Sequence, residues 1–324
     1  MSTSPSSTPT IGVDLGGTKV AVGVVGGERE VLYQASEPVA NYDTDGLIDA
    51  LERAIRKAME SVPEARGVGL GIPCTIDQER GVAINAVNLP LTDVPLRDLM
   101  EQRLGTPVFI DNDANLAALG EQLHGAGRGS RSTVMLTVGT GVGGGIVIDG
   151  EVFRGPSGAG VELGHVSVEA DGPPCQGSCP NRGCVETMSS GTALGRDGSA
   201  AAIEHPDSAL GRIRAEGGTI DGRAVVEAAM AGDEVARKLV QRAGYYLGVA
   251  MASIANIFEP EVITVGGGVC AAGELLIAPA RTELVARALP PMNQARVTRA
   301  ELGPDAGMYG GAALAAIELG KRGG

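Results

Sequence analysis

The sequence predicts a mixed α/β fold, and three observations carry that reading. Two stretches, IGVDLGG running into TKVAVGVV and STVMLTVGTG running into VGGGIVIDGEVF, each read as apolar strand, glycine turn, apolar strand. Elsewhere apolar residues recur at helical spacing between short buried runs. At 324 residues the chain is long enough for two domains, each with its own core.

Taken in order, the first hairpin opens at Ile11. Leu47, Leu51, Ile55 and Met59, with Arg53, Arg56 and Lys57 between them, predict an amphipathic helix. GVGLGI is a buried strand. Leu96, Leu99, Met100 and Leu104 mark a second helix, stopped by Gly105 and Pro107, and VFI follows as a strand. Asn115 to Leu123 is helical. The second hairpin carries Asp149-Gly150 as a tight turn. Glu234 to Ile257 predicts a long helix, EVITVGGG a strand entering a glycine turn, and Tyr309 to Leu319 a closing helix. The likeness of the two hairpins is a weak internal repeat, predicting related halves facing each other across a cleft.

Composition excludes several classes. The chain is 43% hydrophobic and 20% charged, as a globular protein is. A formal net charge of -13 argues against a nucleic-acid partner, and with 2% aromatics and no Trp there are few surfaces for stacking bases. The longest apolar stretch, Tyr245 to Phe258, is too short to span a membrane and contains Ser253 and Asn256. MSTSPSSTPT lacks the apolar core of a signal peptide, so residues 1–9 are expected to be a disordered tail and the protein cytoplasmic. Of five cysteines, three are clustered, which fits a metal site in a reducing compartment better than disulfides; Cys74 and Cys270 read as buried small hydrophobes.

Fifty glycines, clustered at turns, imply backbone brought close to a ligand, and phosphate is the usual one. Gly139, Gly141 and Gly144 also match the G-x-G-x-x-G dinucleotide pattern. That pattern requires a helix directly after the turn, whereas IVIDGEVF reads as strand and turn, so a phosphate cradle is the better reading.

The segment from Glu162 to Glu186, ELGHVSVEADGPPCQGSCPNRGCVE, is the densest in chemistry. One His and three Cys lie between two flanking acids, with cysteine gaps of three and four residues, in or near the spacing of structural zinc sites. Two acids fixed at the ends of a metal-closed loop suggest one wall of a substrate pocket.

Together DLGGTK (Asp14 to Lys19), IDNDANLAALGE (Ile110 to Glu121), LTVGTGVGGGIV, the ELGH-to-CVE block, FEPEVITVGGG and GMYGGAALA resemble the ROK family of sugar kinases and sugar-responsive repressors. The resemblance runs from Ile11 to near the C-terminus, in the family's order. It implies an actin-like ATPase fold of ribonuclease H type, with two α/β domains and an interdomain cleft. The expected boundaries are residues 10–116 with 306–324 for the smaller domain and 117–305 for the larger, zinc-bearing one.

The activity it implies is ATP-dependent phosphorylation of glucose to glucose 6-phosphate. Fructose, allose, mannose or N-acetylmannosamine could replace glucose, and polyphosphate could replace ATP. The other class is a ROK repressor; repressors add an N-terminal winged helix-turn-helix, for which a hairpin opening at Ile11 leaves no space. A homodimer or homotetramer is the expected assembly.

Residue by residue, the resemblance assigns Asp113 as general base toward a sugar hydroxyl, a task that needs a positioned proton acceptor. Position alone does not separate Asp113 from Asp111, and a helix N-cap is the plain alternative for Asp113. Asn112, Glu162, His165 and Glu186 match the family's sugar-contacting set, and Asn88 in the NLP segment is a further candidate. Gly16, Gly17, Thr18 and Lys19 are expected at the transferred phosphate, Thr140 and Gly141 at the others, and Gly267 and Gly268 near the nucleoside. Asp14 is expected near Mg²⁺, its alternative being a turn cap. His165, Cys175, Cys179 and Cys184 are the expected Zn²⁺ ligands. Here the chain departs from the family: CQGSC places three residues between the first two cysteines where the usual pattern has one, so the loop must bulge around Gln176 to Ser178.

Overall fold

The computed structural model describes residues 8–39, 41–86, 89–177 and 179–323. Of the predicted tail, residues 1–7 lie outside the described residues, as do Asn88 and Ser178. In chain order the elements are β1 Thr10–Leu15, β2 Lys19–Val25, β3 Val31–Pro38, α1 Thr44–Ser61, β4 Val68–Ile72, β5 Cys74–Asp77, β6 Val82–Ala86, β7 Thr92–Val94, α2 Leu96–Leu104, β8 Val108–Asn112 and α3 Asp113–His124. They continue with β9 Ser132–Val138, β10 Val142–Ile148, β11 Glu151–Val152, α4 Val185–Ser189, α5 Gly191–Glu204, α6 Ala209–Ala215, α7 Gly222–Met230, α8 Glu234–Phe258, β12 Val262–Gly266, α9 Glu274–Arg287, β13 Arg296–Arg299 and α10 Ala306–Gly323. No helix among the described residues is long and apolar enough to cross a membrane.

Two five-stranded sheets have matching orders, β3-β2-β1-β4-β8 and β11-β10-β9-β12-β13, so the internal repeat read from the hairpins is present in the topology. In the first, β1 and β2 form an antiparallel hairpin, while β1, β4 and β8 run parallel. In the second, β9, β12 and β13 run parallel. A mixed sheet of this kind presents ligands at the carboxyl ends of its parallel strands. Strand β10 follows the 139–141 turn directly, as the rejection of a dinucleotide fingerprint requires.

The chain divides into two compact units: Met1–Arg131 with Gly145–Val161 and Glu301–Gly324, and Ser132–Gly144 with Glu162–Ala300. In the first, Ile11, Val13 and Leu15 of β1 are fully buried with Leu47, Leu51 and Ile55 of α1 and Leu70 of β4. Asp43 caps α1 by accepting from the Gly46 N–H at 2.9 Å, and Gly105 ends α2 in the left-handed region at φ 67. The closing helix α10 packs on α3, β1 and β4 of this unit. It does so through glycines: a Cβ on Gly310 would lie 1.7 Å from the Leu116 carbonyl oxygen, and one on Gly12 of β1 would lie 1.8 Å from that of Met308.

In the second unit α8 is capped by Asp233, whose side chain accepts from the Ala236 N–H at 2.9 Å, and packs along α9. Again glycine sets the approach, since a Cβ on Gly244 would lie 2.2 Å from the Leu276 carbonyl oxygen. Cys74 and Cys270 are buried, at 7% and 5% exposure, as expected of small hydrophobes.

Candidate active site

In the first unit the parallel strands β1, β4 and β8 end together, with Asp14, Gly71 and Asp111 in register across them. Strand β8 passes straight into α3, and the polar residues of the junction differ in their partners, although Asn112 and Asp113 both accept from the Ala114 N–H at 2.9 Å. Asp111, at 1% exposure, is tied to Arg154, with Nε at 2.7 Å and Nη2 at 2.6 Å from Oδ2. Its Oδ1 accepts from the Asn112 N–H at 2.8 Å and from Asn115 Nδ2 at 3.0 Å. Asn112 is the N-cap: its Oδ1 accepts from the N–H groups of Ala114 at 2.9 Å and Asn115 at 3.3 Å. Asp113 therefore sits in the first turn rather than at the cap, where the positive end of the helix favours an anion. Position alone left Asp111 and Asp113 open; the structure engages Asp111 as a buried anchor.

Asp14 lies near Asp113 in charge. Burial, and after it the Asp113 carboxylate, pushes the Asp14 carboxyl up from 3.8 to about 6, with Lys19 pulling back and Asp305 adding to the rise. Its carboxyl packs on Gly307 at the start of α10, where a Cβ would lie 2.6 Å from Cγ. The turn carrying Gly16, Gly17 and Thr18 is closed by Gly16 N–H donating to the Lys19 carbonyl at 2.9 Å, and Thr18 and Lys19 are exposed.

In the second unit the turns after β9 and β12 belong to the same sheet end, with a Cβ on Gly267 only 2.4 Å from the Val138 carbonyl oxygen. Thr140 and Gly268 line a cavity of about 990 Å³, together with Thr192, Arg196, Asp221 and Glu227. Gly141 and Gly267 are not among its lining residues. Gly141 instead packs on Glu186, whose Oε2 accepts from the Val142 N–H at 2.9 Å and would lie 2.3 Å from a Cβ on residue 141. Glu186 thus braces the second glycine turn.

The cavity walls from α5 and α7 were not identified from sequence. Asp221 caps α7 by accepting from the Ala224 N–H at 2.8 Å, and Arg196 donates to the Thr187 carbonyl at 3.0 Å. Ser190 at the head of α5 and Asp221 at the head of α7 are recognisable caps, but GTALGRDGSAAAIE has no large apolar stripe to announce a helix.

Glu162 precedes a short 3₁₀ turn, Leu163–His165, and its carbonyl accepts from the His165 N–H at 3.0 Å. The ligand atoms of His165, Cys175, Cys179 and Cys184 all lie within 4.8 Å of one another, a set able to hold a metal ion. Soft sulfur with one imidazole suits tetrahedral zinc. Burial raises the Cys175 thiol and takes that of Cys184 up to about 12, the neighbouring cysteines adding to the latter. Asn88 lies outside the described residues and Gln176 is the described start of the widened cysteine gap.

The fold and these two groups of residues define a ROK family domain. The family matches residues 10–318, and the chain belongs to it. It is 38% identical to a glucokinase of Halalkalibacterium halodurans, over 93% of either chain. Among solved structures it resembles a ROK hexokinase from Thermus thermophilus (36% identical, TM-score 0.81, covering 97% of this chain and 99% of that one). It also resembles a ROK family glucokinase from Streptomyces griseus in complex with glucose and AMPPNP (36% identical, TM-score 0.78, covering 95% and 99%).

Proposed function

We propose that this chain is an ATP-dependent glucokinase, transferring the γ-phosphoryl group of ATP to the 6-hydroxyl of glucose, with Asp113 as the proton acceptor. The observation that carries the assignment of the base is the division of labour at the β8–α3 junction. Asn112 takes the cap and Asp111 the buried ion pair, so the motif's remaining acid sits in the first turn at the carboxyl ends of the sheet's parallel strands. The likeness to glucokinases, one of them solved with glucose and a nucleotide analogue, supports the substrates.

Phosphoryl transfer demands positioning and charge neutralisation more than covalent help. Asp113 takes the proton from the sugar oxygen as that oxygen bonds to phosphorus; the bond from phosphorus to the β–γ bridging oxygen breaks, and ADP leaves. Backbone N–H groups of the glycine turns, Gly16, Gly17 and Thr18 in one unit and Thr140 in the other, bind phosphate oxygens. The 990 Å³ cavity takes the nucleoside, with Gly268 on one wall and Asp221 at the head of α7 on another. Glu162, His165 and Glu186 hold sugar hydroxyls, with Asn112 offering its Nδ2.

Hard carboxylate oxygens suit Mg²⁺, and an Asp14 carboxyl raised by burial and then by the Asp113 carboxylate is a place where a divalent cation would relieve repulsion. Asp14 would hold it, directly or through water, and the ion would supply neutralising charge on the phosphates. His165, Cys175, Cys179 and Cys184 would hold structural zinc. The same reading includes a cytoplasmic dimer or tetramer.

The test is ADP release measured across hexoses with ATP and with polyphosphate as donors. Glucose with ATP is expected to give the highest kcat/KM. A different hexose or polyphosphate giving at least tenfold more would reassign the substrate, and no turnover with any pair would reject the kinase reading.

A further inference from the structure

Asp111 is a buried acid to which the proposed reaction gives no chemical step. Its carboxylate is nonetheless closely engaged at the β8–α3 junction. Oδ2 receives both Arg154 Nε and Nη2, at 2.7 and 2.6 Å. Oδ1 receives the Asn112 N–H at 2.8 Å, Asn115 Nδ2 at 3.0 Å and Gln78 Nε2 at 3.4 Å. The Asn112 peptide, whose side chain caps α3, is therefore held by Asp111. Asp111 in turn is paired with Arg154, and a buried carboxylate that loses its partner is costly to keep in place.

Arg154 is itself fixed. Its Nη1 donates to the Val152 carbonyl at 3.3 Å, and its own carbonyl accepts from the Gly160 N–H at 3.0 Å, closing the loop 154–160. Gly158 of that loop, at φ 77, sits where a Cβ would be 2.5 Å from the Ile76 carbonyl oxygen, so the loop is seated on β5. The guanidinium thus reaches Asp111 from a closed, braced loop rather than from a free side chain on the surface, and only a quarter of it (25%) is exposed.

We propose that Arg154 is a positioning residue for phosphoryl transfer: by holding Asp111 it fixes the Asn112–Asp113 turn in the orientation that proton transfer requires. This rests on the reading of Asp113 as the base. An error of about 1 Å in such a group can cost on the order of 10²-fold in rate. Lysine cannot reproduce two nitrogens converging on one oxygen, so Arg154→Lys should be intermediate.

The experiment compares wild type, Arg154→Met, Arg154→Lys and the pair Asp111→Asn/Arg154→Met in steady-state kinetics with glucose and ATP. Amide hydrogen exchange of Asn112, Ala114 and Asn115 is followed in parallel. Arg154→Met is expected to lower kcat about 10- to 100-fold while the KM for ATP stays within about twofold, with faster exchange at those three amides. Arg154→Lys should fall between, and the double variant, with no uncompensated buried charge, should exceed Arg154→Met in kcat. Unchanged kcat, unchanged exchange, or a loss matching only the unfolded fraction would overturn the proposal. If Arg154→Met does not fold, Arg154→Lys decides on the same criteria. Wild type inactive on glucose would overturn the proposed function and this inference with it; active wild type with unaffected variants overturns the inference alone.

Discussion

At the end of β8, adjacent polar side chains are sorted by the partners the backbone gives them, and the acid at the end of β1 shows what that arrangement costs. Asp14 is partly buried beside Asp113, and its carboxyl titrates near 6 instead of 3.8. Between those values the folded protein binds more protons than the unfolded chain, so this group's contribution to stability falls as pH rises through that window. Above pH 6 the penalty is complete and amounts to roughly 3 kcal/mol. Asp14→Asn is therefore expected to raise Tm at pH 7.5 and to have little effect near pH 3.5, measured by thermal unfolding of both proteins at both values. An equal shift at both pH values would contradict the charge-based account.

At the scale of elements, glycine decides how closely helices approach. Gly310 of α10 meets the Leu116 carbonyl where no Cβ fits, whereas a Cβ on Gly320 of the same helix would meet nothing within 4 Å. Gly310→Ala is expected to cost about 3 kcal/mol or more, because backbone must move. Gly320→Ala should gain up to about 1 kcal/mol through helix propensity. Denaturant unfolding of the two variants separates them, and similar effects would refute the packing account. The metal loop is the second element-level case. With burial holding Cys184 in its thiol form, zinc binding must release protons and weaken as pH falls. Calorimetry in buffers of different ionisation heat should show that release, and Cys179→Ser should lose the metal; fresh protein without zinc would refute the assignment.

The same scale shows what could be read in advance. Both hairpins, α1, α2, α8 and α10 carried strong periodicity or apolar runs. Strand β3 did not: VLYQASEP alternates half-buried and exposed positions along its length, leaving no apolar run. The small β5-β6-β7 sheet is interrupted by the charged Asp77 to Arg80 turn. Helix α5, rich in Ala and Gly, showed no large apolar stripe and α7 is short, and the two line much of the 990 Å³ cavity, so those lining residues were missed. The motif singled out Asp113, but the cap at Asn112 and the ion pair at Asp111 depend on hydrogen bonds that no spacing encodes.

For the whole molecule, the repeated sheet order assigns one half of the proposed chemistry to each unit. The first unit carries Asp113, the proposed proton acceptor, and the second carries the cavity proposed for the nucleoside and the His/Cys cluster proposed for zinc. Losing the acceptor should therefore leave nucleotide binding intact. The most direct measurement is kcat and nucleotide affinity of Asp113→Asn beside wild type. The account predicts kcat lower by about 10²- to 10⁴-fold with the Kd for a nonhydrolysable ATP analogue unchanged within about twofold. A variant that turns over glucose at near wild-type kcat would contradict it.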